Sequence, residues 1–381
     1  MNRNNIIFLL FIILFSRSDA FSQKKYSSEL KENTIRSIVN DVVKWQIEAY
    51  PHMDKDRYWK SYGDLSWENG VFLSSLASWA KFDKNEAFIK WYEGVADRNF
   101  WQLLGNQHRI YFGDDLAVAL MYAELYGKRK DDRIIHPTQA RLEFIANNPS
   151  LADLHKDNPF SSDRWCWADA LYMAPPVFAK FANISGNNQL MDFMDKEFWV
   201  SYNFLYDKEE KLFYRDSNYF NKTEKNGKKV FWGRGNAWVV AGLALLIPEL
   251  PKNYPSREKY ISLFKEMMQR IVTLQNKEGY WHSSLLDTET YNSPEMSSTG
   301  FFTYAMWWGI NNNILDKGIY LKPAKLGWSA LVGAVQPSGM LGWVQPVGED
   351  PKKVTKDMTE VYGAGAMMRA GQEIIKYLNK N

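Results

Sequence analysis

Apolar positions along the chain fall into two kinds of segment. In six of them an aromatic or polar lead-in and a glycine or other small residue run into an almost unbroken apolar, alanine-rich stretch. These are SWENGVFLSSLASWAKF from 66, YFGDDLAVALMYAELYG from 111, RWCWADALYMAPPVFAKFANISG from 164, FWGRGNAWVVAGLALLIPELP from 231, SSTGFFTYAMWWGINNN from 297 and EVYGAGAMMRAGQEIIKYL from 360. Between them lie segments that are apolar on one helical face only. The clearest, 28–50, sets Ile35, Ile38, Val42 and Trp45 on one side and charges opposite; the others fall near 85–103, 130–147, 187–204, 256–276 and 317–335.

A helix that is apolar all round is buried, and one with a polar face lies outside. Six of each in alternation are satisfied by an all-α fold, a closed (α/α)6 barrel of six inner and six outer helices, and the recurrence points to divergent copies of one unit. The inner helices would then aim their leading ends at one mouth. This gives a reason for Trp232, Arg234, Asn236 and Trp238 to crowd the first turn of one helix, since that turn would line a pocket. Strand is expected only in a small hairpin, with KLFYRDSNYF (211–220) and KKVFWGR (228–234) flanking the turn signal KNGK (225–228).

No Gly/Ser-rich, Pro-rich or low-complexity stretch divides the 381 residues, so a single catalytic-sized domain is expected over 23–381. Residues 1–22 have the build of a secretory signal peptide: Arg3, the apolar run IIFLLFIILF (6–15), then small and polar residues around Ser18, Ala20 and Ser22. That run is too short to span a bilayer, and no later stretch is long enough, so the expectation is export to the periplasm or the cell exterior with no membrane association after leader removal. Cys166 is the only cysteine, which excludes disulfides within the chain and leaves stability to a large packed core. A net charge of +3, lowered by one when Arg3, Arg17 and Asp19 leave with the leader, gives no reason to expect nucleic acid as a partner. Aromatic residues make up 15% of the chain, with 16 Trp, which suits a protein that grips the apolar faces of sugar rings; the plainer reading is that most of them fill the core.

The five histidines, His52, His108, His136, His155 and His282, show no ligand spacing, and GRGN lacks the setting of a phosphate loop, so no metal or cofactor is expected. Carboxylates at the barrel mouth are better candidates for chemistry. Asp169 follows aromatic and apolar neighbours, where poor solvation raises a carboxyl pKa and makes a general acid; its alternative is a hydrogen-bonded structural carboxylate. Asp114 and Asp115 open the preceding inner helix and would face Asp169 across the pocket, unless they serve as helix N-caps. Arg234, between two glycines, is suited to receive a substrate carboxylate or else to pair with an inner-helix acid. Trp232 and Trp238 would stack on sugar rings or pack the wall. Arg215 would edge the site or be one more surface charge on the hairpin.

At these residues the chain resembles the unsaturated glucuronyl and rhamnogalacturonyl hydrolases, glycoside hydrolase families 88 and 105. The resemblance rests on WCWADALYMAPP, FWGRGNAW, GDDLAVALMYAELY and SPEMSSTGFFTYAMWWG and extends over nearly all of the chain beyond the leader. It implies an (α/α)6 barrel that removes a 4,5-unsaturated uronic acid from the non-reducing end of oligosaccharides made by polysaccharide lyases. It implies that Asp169 protonates C4 of the double bond and then activates the water that adds at C5, without a metal. It further implies that Asp114, less securely Asp115, is the second carboxylate, and that Trp167, Trp232, Arg234 and Trp238 contact substrate. Where many family members carry a His in an HGWD-like segment, this chain reads YRDSNYF, so Arg215 replaces it. An added cation would suit a sulfated neighbouring sugar, as in ulvan fragments, with pectin-derived rhamnogalacturonan the alternative. Three rivals remain on the residues alone: an ordinary two-carboxylate glycosidase, a non-catalytic carbohydrate-binding protein, and an epimerase or lyase on a similar barrel.

Overall fold

A computed structural model describes residues 26–49, 63–105 and 109–380. The leader expected at 1–22, as well as His52 and His108, lies outside these residues. The amphipathic segments form α1 (Glu32–Ala49), α3 (Glu86–Arg98), α5 (His136–Asn147), α8 (Asn188–Leu205), α10 (Arg257–Val272) and α12 (Lys317–Gly333). The apolar segments form α2 (Trp67–Asp83), α4 (Ala119–Arg129), α6 (Ala170–Met173) with α7 (Pro175–Ser185), α9 (Gly233–Leu246), α11 (Met296–Asn311) and α13 (Val361–Leu378). α6 and α7 continue one inner helix that breaks at Ala174, because Pro175 and Pro176 start a new first turn, where a missing N–H costs nothing.

Packing closes the ring. α2 lies against α4, α4 against α7, α6 and α7 against α9, α9 against α11, α11 against α13, and α13 returns to α2. The polar-faced helices pack outside, among them α1 on α13, α3 on α2, α8 on α7, α10 on α9 and α12 on α11. The architecture is therefore the expected (α/α)6 barrel. Side chains on α9 and α11 are buried along almost their whole length, as all-round apolarity requires, whereas α10 buries only the stripe Tyr260, Leu263, Phe264, Met267, Met268 and Ile271. Inner helices approach closely enough that a Cβ on Gly242 of α9 would collide with the carbonyl oxygen of Leu171 in α6.

Several helix starts are sealed by side chains. Ser66 accepts from the Asn69 amide at the head of α2, Asn85 from Phe88 at α3 and Asp316 from Ile319 at α12. The hairpin differs in place from its expectation. β1 (Tyr206–Asp207) pairs antiparallel with β2 (Leu212–Phe213), while the KNGK turn is closed by an isolated bridge between Thr223 and Lys229 and by the Glu224 amide donating to the Lys228 carbonyl. The reason lies on α9: Asn236 accepts from the Phe213 amide at 2.8 Å and donates to its carbonyl at 3.0 Å. The chain after β2 is thus pinned to a helix start and cannot run on as a strand beside 228–234.

Candidate active site

The starts of the inner helices meet at one mouth. Trp67 at the head of α2 stacks on Tyr362 at the head of α13, with ring centroids 5.6 Å apart and planes 16° from parallel. Trp67 also meets the edge of Trp238 at 6.1 Å. The guanidinium of Arg234, in the first turn of α9, lies 4.4 Å from the Trp232 ring centroid and 4.8 Å from that of Tyr362.

Two carboxylates share this end of the barrel. Asp114 sits in a 3-10 turn, Gly113–Leu116, that leads into α4, and Asp169 immediately precedes α6. Neither caps its helix. Oδ1 of Asp114 and Oδ2 of Asp169 are buried and have no hydrogen-bond partner among the described residues. Burial pushes the Asp114 pKa well above the ordinary carboxylate range, and the neighbouring charge of Asp169 pushes it further. Burial also raises Asp169, although Arg215 and Arg234 pull it back down. A buried pair with like charges cannot both ionise cheaply, so it holds a proton above the usual carboxylate pH, preferentially on Asp114.

Arg215 belongs to this pair and is not a hairpin surface charge. Its Nε lies 3.7 Å from Asp169 Oδ2, its Nη1 2.5 Å from Oδ2 of the fully buried Asp216, and its Nη2 3.7 Å from Glu349 Oε1. Burial would lower the guanidinium pKa, but these three carboxylates outweigh it and leave the group firmly charged. The backbone fixes the arrangement, since the Ala168 amide donates to the Arg215 carbonyl at 2.8 Å.

Asp115 is differently employed. Arg109 Nη2 contacts its Oδ1 at 2.8 Å and Arg141 Nη2 its Oδ2 at 3.5 Å, so both of its oxygens face arginines. The capping alternative for Asp114 and Asp115 is corrected, since no side chain caps this turn or α4.

Arg234 is also differently employed. It is fully buried, and its Nη1 and Nη2 donate to the carbonyls of Gln345 at 2.6 Å and Pro346 at 2.9 Å; no carboxylate among the described residues lies within 4.0 Å. Its positive field reaches Asp169, but the fork that would receive a substrate carboxylate is occupied by the 342–360 loop. The same loop is gripped at Gln345 from several sides. Trp232 Nε1 donates to its Oε1 at 3.2 Å, Tyr362 Oη to its carbonyl at 2.6 Å, and its amide donates to Glu295 Oε1 at 3.0 Å. Glu295 in turn caps α11 through the amides of Ser297 and Ser298.

Trp167, Trp232 and Trp238 are each 2% exposed or less, so they form the wall of the pocket and offer no stacking face to solvent. Trp167 is covered by Phe112, whose ring lies 5.2 Å away at 25°, with Lys156 5.3 Å over its own ring. The rings left half-buried at the mouth are Trp67 and Phe112. Sequence reasoning did not single these out, although both stand in the aromatic lead-ins SWENG and YFGDD. Gln345 and Glu349 had no such signal, because the loop that carries them has no periodicity. Cys166 is buried, and burial pushes its thiol pKa up, as for a packing residue. Among the described residues no group of three or more His, Cys, Asp or Glu is gathered in the manner of a metal site.

An (α/α)6 barrel whose mouth holds two buried acids, a cation and half-buried aromatic rings suits a carbohydrate-active enzyme. The chain belongs to glycosyl hydrolase family 88, whose family model matches residues 38–378, and it is accordingly a glycosidase. It is 35% identical to an unsaturated 3S-rhamnoglycuronyl hydrolase of Alteromonas sp. (strain LOR), over 90% of this chain and 86% of that one. It is also 35% identical to an unsaturated 3S-rhamnoglycuronyl hydrolase of Formosa agariphila, over 94% of this chain and 95% of that one. A solved structure described as a polysaccharide lyase superposes with a TM-score of 0.82 at 29% identity, covering 92% of this chain and 99% of its own. The expectation of an unsaturated uronyl hydrolase agrees with the family and with both named hydrolases.

Proposed function

We propose that this enzyme removes a 4,5-unsaturated uronic acid from the non-reducing end of lyase-made oligosaccharides, by hydrating the C4=C5 bond. Support comes first from the Asp114–Asp169 pair, which retains a proton above the ordinary carboxylate range and presents an oxygen from each acid without a partner. The carboxyl of Asp169 delivers its proton to C4 as the C4=C5 electrons form the new C–H bond. Water adds at C5 and returns a proton to Asp169, which restores the acid. The hemiketal at C5 then opens and the aglycone leaves, with one water consumed overall. As substrate binds, the pair's shared proton resides on Asp169, and the negative charge then left on Asp114 favours that protonated state.

The finer reading that the adjoining sugar is sulfated, as in ulvan fragments, draws on both hydrolase relatives, which are named for 3S-rhamnoglycuronyl substrates, and on Lys156, whose charge stands over the Trp167 ring; Arg215 is itself matched by Asp169, Asp216 and Glu349. Export to the periplasm or beyond belongs to the same proposal, because such oligosaccharides are polymer fragments and residues 1–22 read as a leader. The lyase-like neighbour gives a second reading, in which the mouth creates the double bond.

Near-ultraviolet absorbance of the conjugated acid separates these readings by sign. Hydration makes it fall with ulvan-derived disaccharide and not with rhamnogalacturonan disaccharide, and Asp169→Asn abolishes the fall. A rise with intact polymer indicates the lyase. No change with any unsaturated substrate removes the hydrolase reading, and turnover of rhamnogalacturonan disaccharide alone removes the sulfated one.

A further inference from the structure

The opposite end of the barrel holds a second cavity that the proposed reaction does not use. It encloses about 310 Å³ and is walled by all six inner helices, through residues one or more turns beyond those at the catalytic mouth. That volume is at the lower end of the range for small-molecule sites and suits a monosaccharide.

The charges around it are unevenly matched. Three acids face it and each has a lysine: Glu249 with Lys180 at 3.0 Å, Glu373 with Lys376 at 2.7 Å and Glu124 with Lys81 at 2.9 Å. Arg369 of α13 has no such partner. Its guanidinium donates only to the Ser74 carbonyl at 3.0 Å and Ser75 Oγ at 3.4 Å, and no carboxylate among the described residues lies within 4.0 Å. Tyr304 of α11 also lines the cavity. It is only 4% exposed, and its hydroxyl has no hydrogen bond among the described residues. Gln372 accepts from Ser78 through Oε1 at 3.0 Å, which leaves its amide nitrogen free to donate.

Arg369, Tyr304 and Gln372 therefore all present donors to the cavity, one of them permanently charged and without a carboxylate partner, while the acids on the wall are each paired with a lysine. An oxyanion in the cavity would engage a guanidinium and a phenol together. The negative ends of the inner helices would repel an anion, but that field fades within the last turn, and Arg369 and Tyr304 lie mid-helix. We propose that this cavity is a second binding site, distinct from the carboxylate mouth, for a monosaccharide-sized sugar acid whose carboxylate is held by Arg369 and Tyr304. The proposal does not depend on the reaction assigned to the other mouth.

Tyr304→Phe is the informative variant, since it deletes a hydroxyl that bonds nothing in the protein and should leave Tm and turnover unchanged. Titration calorimetry with D-glucuronate, glucose and inorganic sulfate is run on the wild type, Tyr304→Phe and Arg369→Gln. The expected result is glucuronate binding that weakens at least about fivefold in Tyr304→Phe, by loss of one charge-assisted hydrogen bond, and further in Arg369→Gln, with glucose silent. The proposal is overturned if glucuronate does not bind or glucose binds equally well. It is likewise overturned if sulfate alone binds, or if both variants bind glucuronate as the wild type does, which would place all binding at the catalytic mouth.

Discussion

Asp169 and Asp114 are chemically alike but carry different burdens. Asp169 has Arg215 at 3.7 Å to steady its ionised form, whereas Asp114 is pressed toward neutrality by burial and by Asp169 itself. If Asp169 is the acid and then the base, Asp169→Asn lowers kcat by at least about 100-fold, the scale of a lost general acid–base, and leaves the fold intact. Steady-state turnover of an unsaturated disaccharide, with circular dichroism as the fold check, measures this; kcat within tenfold of wild type would move the role to another group. Arg234 gives a different expectation from its position in the sequence. Its fork holds two carbonyls of the 342–360 loop, so Arg234→Lys keeps the charge near Asp169 and loses one arm of the fork. A hydrogen bond from a charged group contributes about 1.5–3 kcal/mol, enough to loosen a loop held by few contacts. Hydrogen exchange at residues 345–350 should speed up in Arg234→Lys while exchange in α9 beyond its first turn stays slow; unchanged loop exchange would mean that Trp232 and Tyr362 suffice.

At the level of helices, what the sequence disclosed follows from periodicity. All-round apolarity of α2, α9 and α11 forces them inside, and the one-sided pattern of α1 and α10 forces them out, so barrel and mouth follow from burial alone. What stayed hidden depends on partners far along the chain. Nothing near Arg234 announces that residues 345 and 346 will fill its fork, and nothing near Asp115 shows that Arg141, 26 positions later, will reach it. The hairpin was displaced for the same reason: Asn236, on a helix, took the backbone of Phe213. Close helix approach can be tested with two glycines of opposite surroundings. Gly94 on the outer helix α3 is exposed and has nothing within 4 Å of an added Cβ, so Gly94→Ala gains helix propensity of up to about 1 kcal/mol. Gly242→Ala gains the same propensity but drives its methyl into Leu171, and overpacking of about 1–3 kcal/mol outweighs it. Thermal unfolding should move up for the first and down for the second; a rise in both would mean that α6 yields to α9 without strain.

For the molecule as a whole, the buried acids tie stability to pH with a definite sign. A carboxyl whose pKa is higher in the folded than in the unfolded state binds its proton more tightly when folded, so it adds stability at low pH and loses that contribution as pH rises through its folded value. Asp114 and Asp169 are of this kind, as are Asp115, Asp163 and Glu224. Asp207 is lowered, with backbone bonds and Lys229 outweighing its burial, and loses stability only as pH falls below the ordinary carboxylate range. His282, lowered by burial, works against the raised acids, because its unfolded form takes up a proton below about pH 6.5. The absolute profile is thus a sum of opposed slopes, but one substitution isolates the Asp114–Asp169 pair. Asn at 114 has no proton to lose, and it removes the charge that Asp169 would otherwise face. The difference in Tm between Asp114→Asn and wild type should therefore be small near pH 4 and widen in favour of the variant up to pH 8, while activity falls at every pH. A difference independent of pH would mean that Asp114 is already ionised in the folded protein, and the shared proton on which the hydration chemistry depends would have to reside elsewhere.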